Sequence, residues 1–149
     1  MALNDHVRQL RQIPLFSALN AEALRLIAFS AGTRIVQQGE VLFREGEDSD
    51  AGYLVLSGVL DFTREGVEGM THAGAGALVG EMALIALTAR PATATAAEIT
   101  GVLIITRALF LRVLTEFPDC AVQLRRDLAA RVAAQAAEFE AFRARFMPA

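Results

Sequence analysis

The residue pair best suited to chemistry is Glu81 and Arg90, in the stretch GEMALIALTARPATATAAE at residues 80–98. Gly80 permits a tight turn, and residues 81–87 read as a short helix behind it. The amides of Glu81, Met82 and Ala83 then lack intrahelical acceptors and can face an anion. Arg90 carries a planar fork of donors that suits a phosphate and stays charged at any working pH. Glu81 accepts hydrogen bonds from a sugar hydroxyl and repels a phosphate, so a ligand with both a phosphate and a ribose hydroxyl satisfies the two side chains together. A plainer reading stays open on residue types alone: Glu81 is an acid favoured by the helix macrodipole, and Arg90 pairs with it or sits in solvent.

Other chemistry has less support. GAGALVG at residues 74–80 approaches a dinucleotide-binding glycine pattern, with Glu98 downstream. Val79 stands where the third glycine belongs, however, and the preceding VEGMTHA is not the buried apolar strand that a βαβ unit needs. Every basic side chain is arginine, which excludes a P-loop lysine and Schiff-base chemistry. Cys120 is the sole cysteine and reads as a buried structural thiol; with His6 and His72 far away it makes neither a disulfide nor a metal site. The acidic turn EGEDSD, with Asp48 and Asp50, lacks the ligand order of a calcium loop and reads as solvated. No catalytic group, metal or cofactor is expected, and the chain reads as something other than an enzyme.

The elements that must position Glu81 and Arg90 come from a chain of 149 residues, which suits one compact domain over 1–149. Hydrophobic residues make up 54%, much of it alanine, so the interior is ample. No charge-free stretch is long enough to span a bilayer, and MALNDHVRQL lacks a signal peptide's apolar region, so a soluble cytoplasmic protein is expected, without a membrane partner. The net charge of −3 argues against direct nucleic-acid binding. Its 14 arginines are uneven: residues 107–149 hold 7 against 5 acids, enough to meet an acidic partner or to line a solvated helix face.

Residues 3–31 read as helix, with Asn20 capping AEALRLIAF and Gly32 as the stop. From Thr33 the pattern changes to short runs of β-formers between glycine and acidic turns: TRIVQ, VLFR, YLVLS and VLDFTR, with EGVEG as a turn. ATATAAE and GVLIIT return to strand around a turn near Thr100-Gly101. Spacing of this kind suggests an antiparallel barrel or jelly roll over 33–106. Residues 107–114 form a helix, Phe117-Pro118 breaks it, and 119–146 form a long alanine-rich helix. Leu124, Leu128, Val132, Gln135, Phe139, Phe142 and Phe146 make one apolar stripe along it. The last three phenylalanines exceed what so small a body can bury, which suggests a second subunit or a mobile lid.

GEMALI followed by RPATATAAE resembles the phosphate-binding cassette of the cyclic nucleotide-binding domain family. IPLFSAL resembles that family's entry helix, and GEVLFREGEDSDAGYLVLSGVLDF its first barrel strands, with Gly39, Gly46 and Gly58 at turns. LFLRVLTEFPDCAVQL resembles the two helices after the barrel, so the likeness runs from about Ile13 to about Val132. It implies a mainly β fold with flanking α: an eight-stranded antiparallel β-roll with N-terminal helices and a long C-terminal helix. By position, Glu81 matches the ribose 2′-hydroxyl ligand and Arg90 the cyclic phosphate ligand. Gly80, Met82 and Ala83 match the phosphate cradle, and Thr93, which follows Pro91 and Ala92, matches a hydroxyl near the phosphate or base.

One departure has a physical consequence. The residue after the arginine usually presents its N–H to the phosphate, and Pro91 has none. A hydrogen bond to a charged group contributes about 1.5–3 kcal/mol, so affinity is expected to be roughly tenfold to a hundredfold lower. Loss of a hydroxyl at 91 favours cAMP over cGMP. The expected role is a cyclic nucleotide sensor whose C-terminal helices close over the base. It would act in trans on an effector protein, since the chain stops at Ala149, and homodimerise through the C-terminal helix. The alternatives are a ligand-free fold kept as an interaction module, with Pro91 as its sign, and a fragment of a transcription regulator.

Overall fold

The computed structural model describes residues 2–146, and the side chains of residues 3–145. Eight antiparallel strands form two four-stranded sheets, ordered β1-β8-β3-β6 and β2-β7-β4-β5. The strands are β1 (Gly32–Val36), β2 (Val41–Phe43), β3 (Ala51–Ser57), β4 (Val59–Arg64), β5 (Val67–Gly74), β6 (Leu78–Val79), β7 (Thr93–Ala96) and β8 (Thr100–Thr106). Helices α1 (Ala2–Arg11) and α2 (Ala21–Ser30) precede them, and α3 (Arg107–Glu116) and α4 (Pro118–Phe146) follow. The mainly β roll with helices at both ends is the fold expected from the sequence.

Strands β3 and β8 explain how the two layers share one sheet. Their buried runs are nearly continuous because each of them faces apolar neighbours on both sides. Leu54, Leu103 and Ile105 pack outward with Phe16, Ile27, Phe110 and Leu124 of the helices. Val55 and Val102 point into the roll, against Val36, Leu60, Val79 and Ala94. Cys120 is buried in the helix-side cluster.

Several element boundaries differ from the sequence expectation. Residues 3–31 are not one helix: a 3-10 turn at Pro14–Ala18 separates α1 from α2, with Pro14 opening it and Asn20 starting a new helix. The Asn20 side chain accepts from the Ala23 amide at 2.9 Å, as its capping role requires. The segment VEGMTHAG, its first three residues read as turn, forms edge strand β5, exposed along almost its whole length and therefore without an alternating apolar signal. The turn placed near Thr100-Gly101 falls earlier, because the buried Thr100 hydroxyl bonds both Val59 backbone groups at 3.1 Å and opens β8. The GAGALVG stretch ends β5, turns at Gly76 (φ 91°) and forms β6, so it is not a strand-to-helix phosphate loop.

Gly58 turns β3 into β4 at φ +86°, and a Cβ there would lie 2.4 Å from the Ile99 carbonyl oxygen and 2.5 Å from Thr100 Oγ1. Left-handed strain costs about 1–2 kcal/mol and overpacking a further 1–3 kcal/mol. Gly58→Ala is therefore expected to destabilise the chain by about 3 kcal/mol in urea denaturation. A loss under about 1 kcal/mol would show that the turn relaxes freely.

Candidate functional site

Gly80 is left-handed at φ 74°, ψ 29° and caps a 3-10 helix, Glu81–Leu84. That helix is shorter than the expected 81–87: Ile85 and Ala86 both turn their amides back onto the Met82 carbonyl oxygen, at 3.2 and 3.0 Å, and the chain leaves toward Arg90. Ala83 donates its amide to Gly80 O at 3.0 Å, so of the three expected cradle amides those of Glu81 and Met82 start the helix without an intrahelical acceptor.

Arg90 is held at both backbone groups by the turn before β3. Its amide donates to Glu47 O and its carbonyl accepts from Gly46 N, each at 2.8 Å. The side chain enters the roll and is only 5% exposed. Its Nη2 donates to Ala51 O at 2.8 Å, and the guanidinium lies 4.3 Å from the Phe43 ring centroid and 5.5 Å from that of Tyr53. Nη1 approaches Gly80 so closely that a Cβ there would stand 2.5 Å away, so the guanidinium and the start of the 3-10 helix converge on one place. No carboxylate forms an ion pair with Arg90 among the described residues. Burial pulls its pKa below the usual arginine value, partly offset by Tyr53, Asp50 and Glu47.

The plain expectation that Arg90 pairs with Glu81 or sits in solvent therefore does not hold. Glu81 pairs instead with Arg131 of α4, Nη1 to Oε1 at 3.6 Å. Glu81, Arg90 and Pro91 share a cleft of about 230 Å³ with Gly80, Met82, Ala83, Ser49, Leu78, Thr88 and Ala89. Met82 leaves its side chain 57% exposed at the edge, and Ala83 is buried. Ala92 and Thr93 are not in that lining. Ala92 faces a separate hollow beside Phe62 and Met70, and the Thr93 hydroxyl accepts from Glu45 N at 2.9 Å, which ties it to the β2–β3 turn.

A larger cleft of about 580 Å³ shares Ser49, Thr88 and Ala89 with the first and is lined further by Asp48, Asp50, Leu87 and Arg107. Its carboxylates repel an anion. The Arg107 guanidinium is engaged by the carbonyls of Ala83, Ser49 and Ala86, which fastens the 81–86 segment to the start of α3. A buried cation beside helix-start amides makes the smaller cleft the better suited of the two to an anion.

A family model for the cyclic nucleotide-binding domain matches residues 33–117, the span from β1 through α3. The chain belongs to the cyclic nucleotide-binding domain family. A solved cyclic nucleotide-binding-like protein from Brucella abortus is 40% identical with a TM-score of 0.69, covering 74% of this chain and 98% of that one. Lysophospholipase nte1 of Aspergillus terreus is 35% identical over 101 residues, 65% of this chain and 7% of the enzyme. A cAMP-dependent protein kinase regulatory subunit of Yarrowia lipolytica is 30% identical over 102 residues, 68% of this chain and 27% of the subunit. The chain thus spans a small part of the curated relatives it matches. In the cyclic nucleotide-binding domain the sequence pointed to Glu81 and Arg90 but gave no sign of Phe43, Tyr53 or Arg131. These come from β2, β3 and α4, and only the fold brings the two rings against Arg90 and Arg131 against Glu81.

Proposed function

We propose that the chain binds a 3′,5′-cyclic nucleotide, cAMP in preference to cGMP, in the cleft at residues 80–91, and that it is a regulatory rather than a catalytic module. The observation that carries this reading is Arg90: a guanidinium 5% exposed with no carboxylate partner among the described residues. A buried charge left unpaired is costly, and an anionic ligand removes the cost. Arg90 takes the cyclic phosphate with the amides of Glu81 and Met82, Gly80 gives the backbone its close approach, and Glu81 accepts from the ribose 2′-hydroxyl. The kinship with a cAMP-dependent kinase subunit supports the ligand class. Ala92 and Thr93 are left out of the contact set.

Occupancy is passed to an effector protein or a second copy through α3 and α4. Residues 129–145 of α4 are exposed, among them Val132, Phe139 and Phe142. Leu124 belongs to the body's core, Leu128 packs against it partly buried, and the side chain of Phe146 lies outside the described residues. Among the described residues no helix is long and apolar enough to cross a membrane. The second reading, a fold that has lost its ligand, draws on Pro91, which lines the cleft without an N–H.

Thermal denaturation separates the two. Cyclic AMP at about a hundred times its Kd adds about 2.7 kcal/mol, a rise of several degrees in Tm, while 5′-AMP with its open, doubly charged phosphate gives less. An unchanged Tm with millimolar cAMP and cGMP decides for the ligand-free reading.

A further inference from the structure

The guanidinium of Arg90 sits in the roll with no carboxylate ion pair among the described residues. Two rings hold it instead. Its central carbon lies over the Phe43 ring, 4.3 Å from the centroid, and 5.5 Å from that of Tyr53. The rings are themselves stacked, 6.0 Å apart with an interplanar angle of 26°, and Phe62 backs Phe43 at 6.4 Å. We propose that Phe43 and Tyr53 are positioning residues of the anion site, an aromatic wall that holds the Arg90 cation by its face and leaves its charge and its Nη1 edge to the ligand's phosphate. This rests on the cyclic nucleotide reading above.

Two properties of a guanidinium make a ring a better holder here than a carboxylate. Its donors all lie in its plane, so a ring on the face uses none of them, whereas a carboxylate takes the edge that a phosphate needs. A ring also attracts the cation without neutralising it, so an incoming anion has no paired carboxylate to displace. The edge is divided accordingly. Nη2 donates to Ala51 O at 2.8 Å, and Nη1 lies toward Gly80, where the 3-10 helix begins with the amides of Glu81 and Met82. With its face and one end fixed, the fork is aimed before a ligand arrives and has less rotamer freedom to lose on binding.

Strand β2 carries a feature that serves this contact. Its register with β7 slips between Val41, opposite Thr95, and Phe43, opposite Ala94, so two steps along β2 match one along β7. A regular strand would send Leu42 and Phe43 to opposite faces. Here both are buried in the same cluster inside the roll, at 7% and 6% exposure. The bulge thus turns Phe43 inward against Arg90 at the end of a three-residue strand. A rival account, in which the rings merely fill the roll, predicts that their loss acts alike with and without Arg90.

The test begins without nucleotide. Phe43→Leu, which keeps apolar volume but removes the ring face, is compared by urea denaturation in the natural chain and in Arg90→Met. The folding equilibrium constant is expected to fall roughly five- to thirtyfold further in the natural chain, the range of a desolvated cation over a ring. Equal losses in the two backgrounds overturn the wall and establish the rival. Calorimetry with cAMP then reads the positioning. Tyr53→Leu is expected to weaken binding roughly three- to tenfold and Phe43→Leu at least as much, while Tyr53→Phe, which keeps the ring, stays within about twofold of the natural chain. Unchanged affinity in both leucine variants overturns the positioning role, and so does a loss in Tyr53→Phe equal to that in Tyr53→Leu, which assigns the effect to the hydroxyl. If Phe43→Leu does not fold, Tyr53→Leu at the half-buried ring carries both measurements. Absence of cAMP binding to the natural chain, by contrast, refutes the ligand reading, and the urea cycle alone then decides whether the rings hold the cation.

Discussion

Arg90→Met is expected to weaken cAMP binding by roughly thirtyfold or more, because truncating one partner of a buried, hydrogen-bonded charge pair costs about 2–5 kcal/mol. The same substitution should leave the nucleotide-free fold within a few degrees of its original Tm. Burial lowers the pKa of this guanidinium on folding, so its protonated form costs the fold stability at every working pH, and a neutral side chain of similar length removes that cost. Against this stand the lost hydrogen bond to Ala51 O at 2.8 Å and the contact with the Phe43 ring at 4.3 Å. These opposing effects nearly cancel, whereas a phosphate held as proposed loses its buried cation. Calorimetry and thermal denaturation on the same samples check both halves. A variant that binds as before refutes the role of Arg90. A variant that unfolds shows that the guanidinium serves the roll, and Arg90→Lys, which keeps the charge without the fork, then reads binding alone.

Pro91→Ala should act in the opposite direction. It restores an N–H beside the buried guanidinium, in the lining of the cleft, and a hydrogen bond to a charged phosphate contributes about 1.5–3 kcal/mol, so affinity should rise roughly tenfold to a hundredfold. Removing a proline also frees the unfolded chain, which lowers the stability of the nucleotide-free protein by about 0.4–1 kcal/mol. Tighter binding together with a slightly lower Tm without ligand is a signature that general stabilisation cannot produce. Unchanged affinity would mean that the backbone at residue 91 never faces the phosphate.

These two neighbours show what could be read from the sequence and what could not. Spacing behind Gly80 singled out Glu81 and Arg90, and the glycines at 39, 46 and 58 marked turns that have φ of 82°, 86° and 86°. Strands β3 and β8 were legible because runs buried on both faces are rich in β-branched and apolar residues. Edge strand β5 was not, since neither of its faces imposes a pattern. The break between α1 and α2 was hidden by apolar residues that fill the 3-10 turn, with Leu15 and Phe16 buried there as in a helix. Nothing local showed that Arg90 would be buried, because its depth is set by Phe43, Tyr53 and Ala51, which long-range pairing alone brings together. Arg131 was one of several arginines on a long helix, and only where α4 leaves the body distinguishes it.

Arg90, without a carboxylate partner among the described residues, is proposed to be there for an anion. Isothermal titration of nucleotide-stripped protein with cAMP, run beside Arg90→Met, measures this most directly. Saturable heat with about one nucleotide per chain in the natural protein, and none in the variant at the same concentrations, is the predicted result. No heat from cAMP or cGMP at sub-millimolar protein, or equal heat in both proteins, would contradict it.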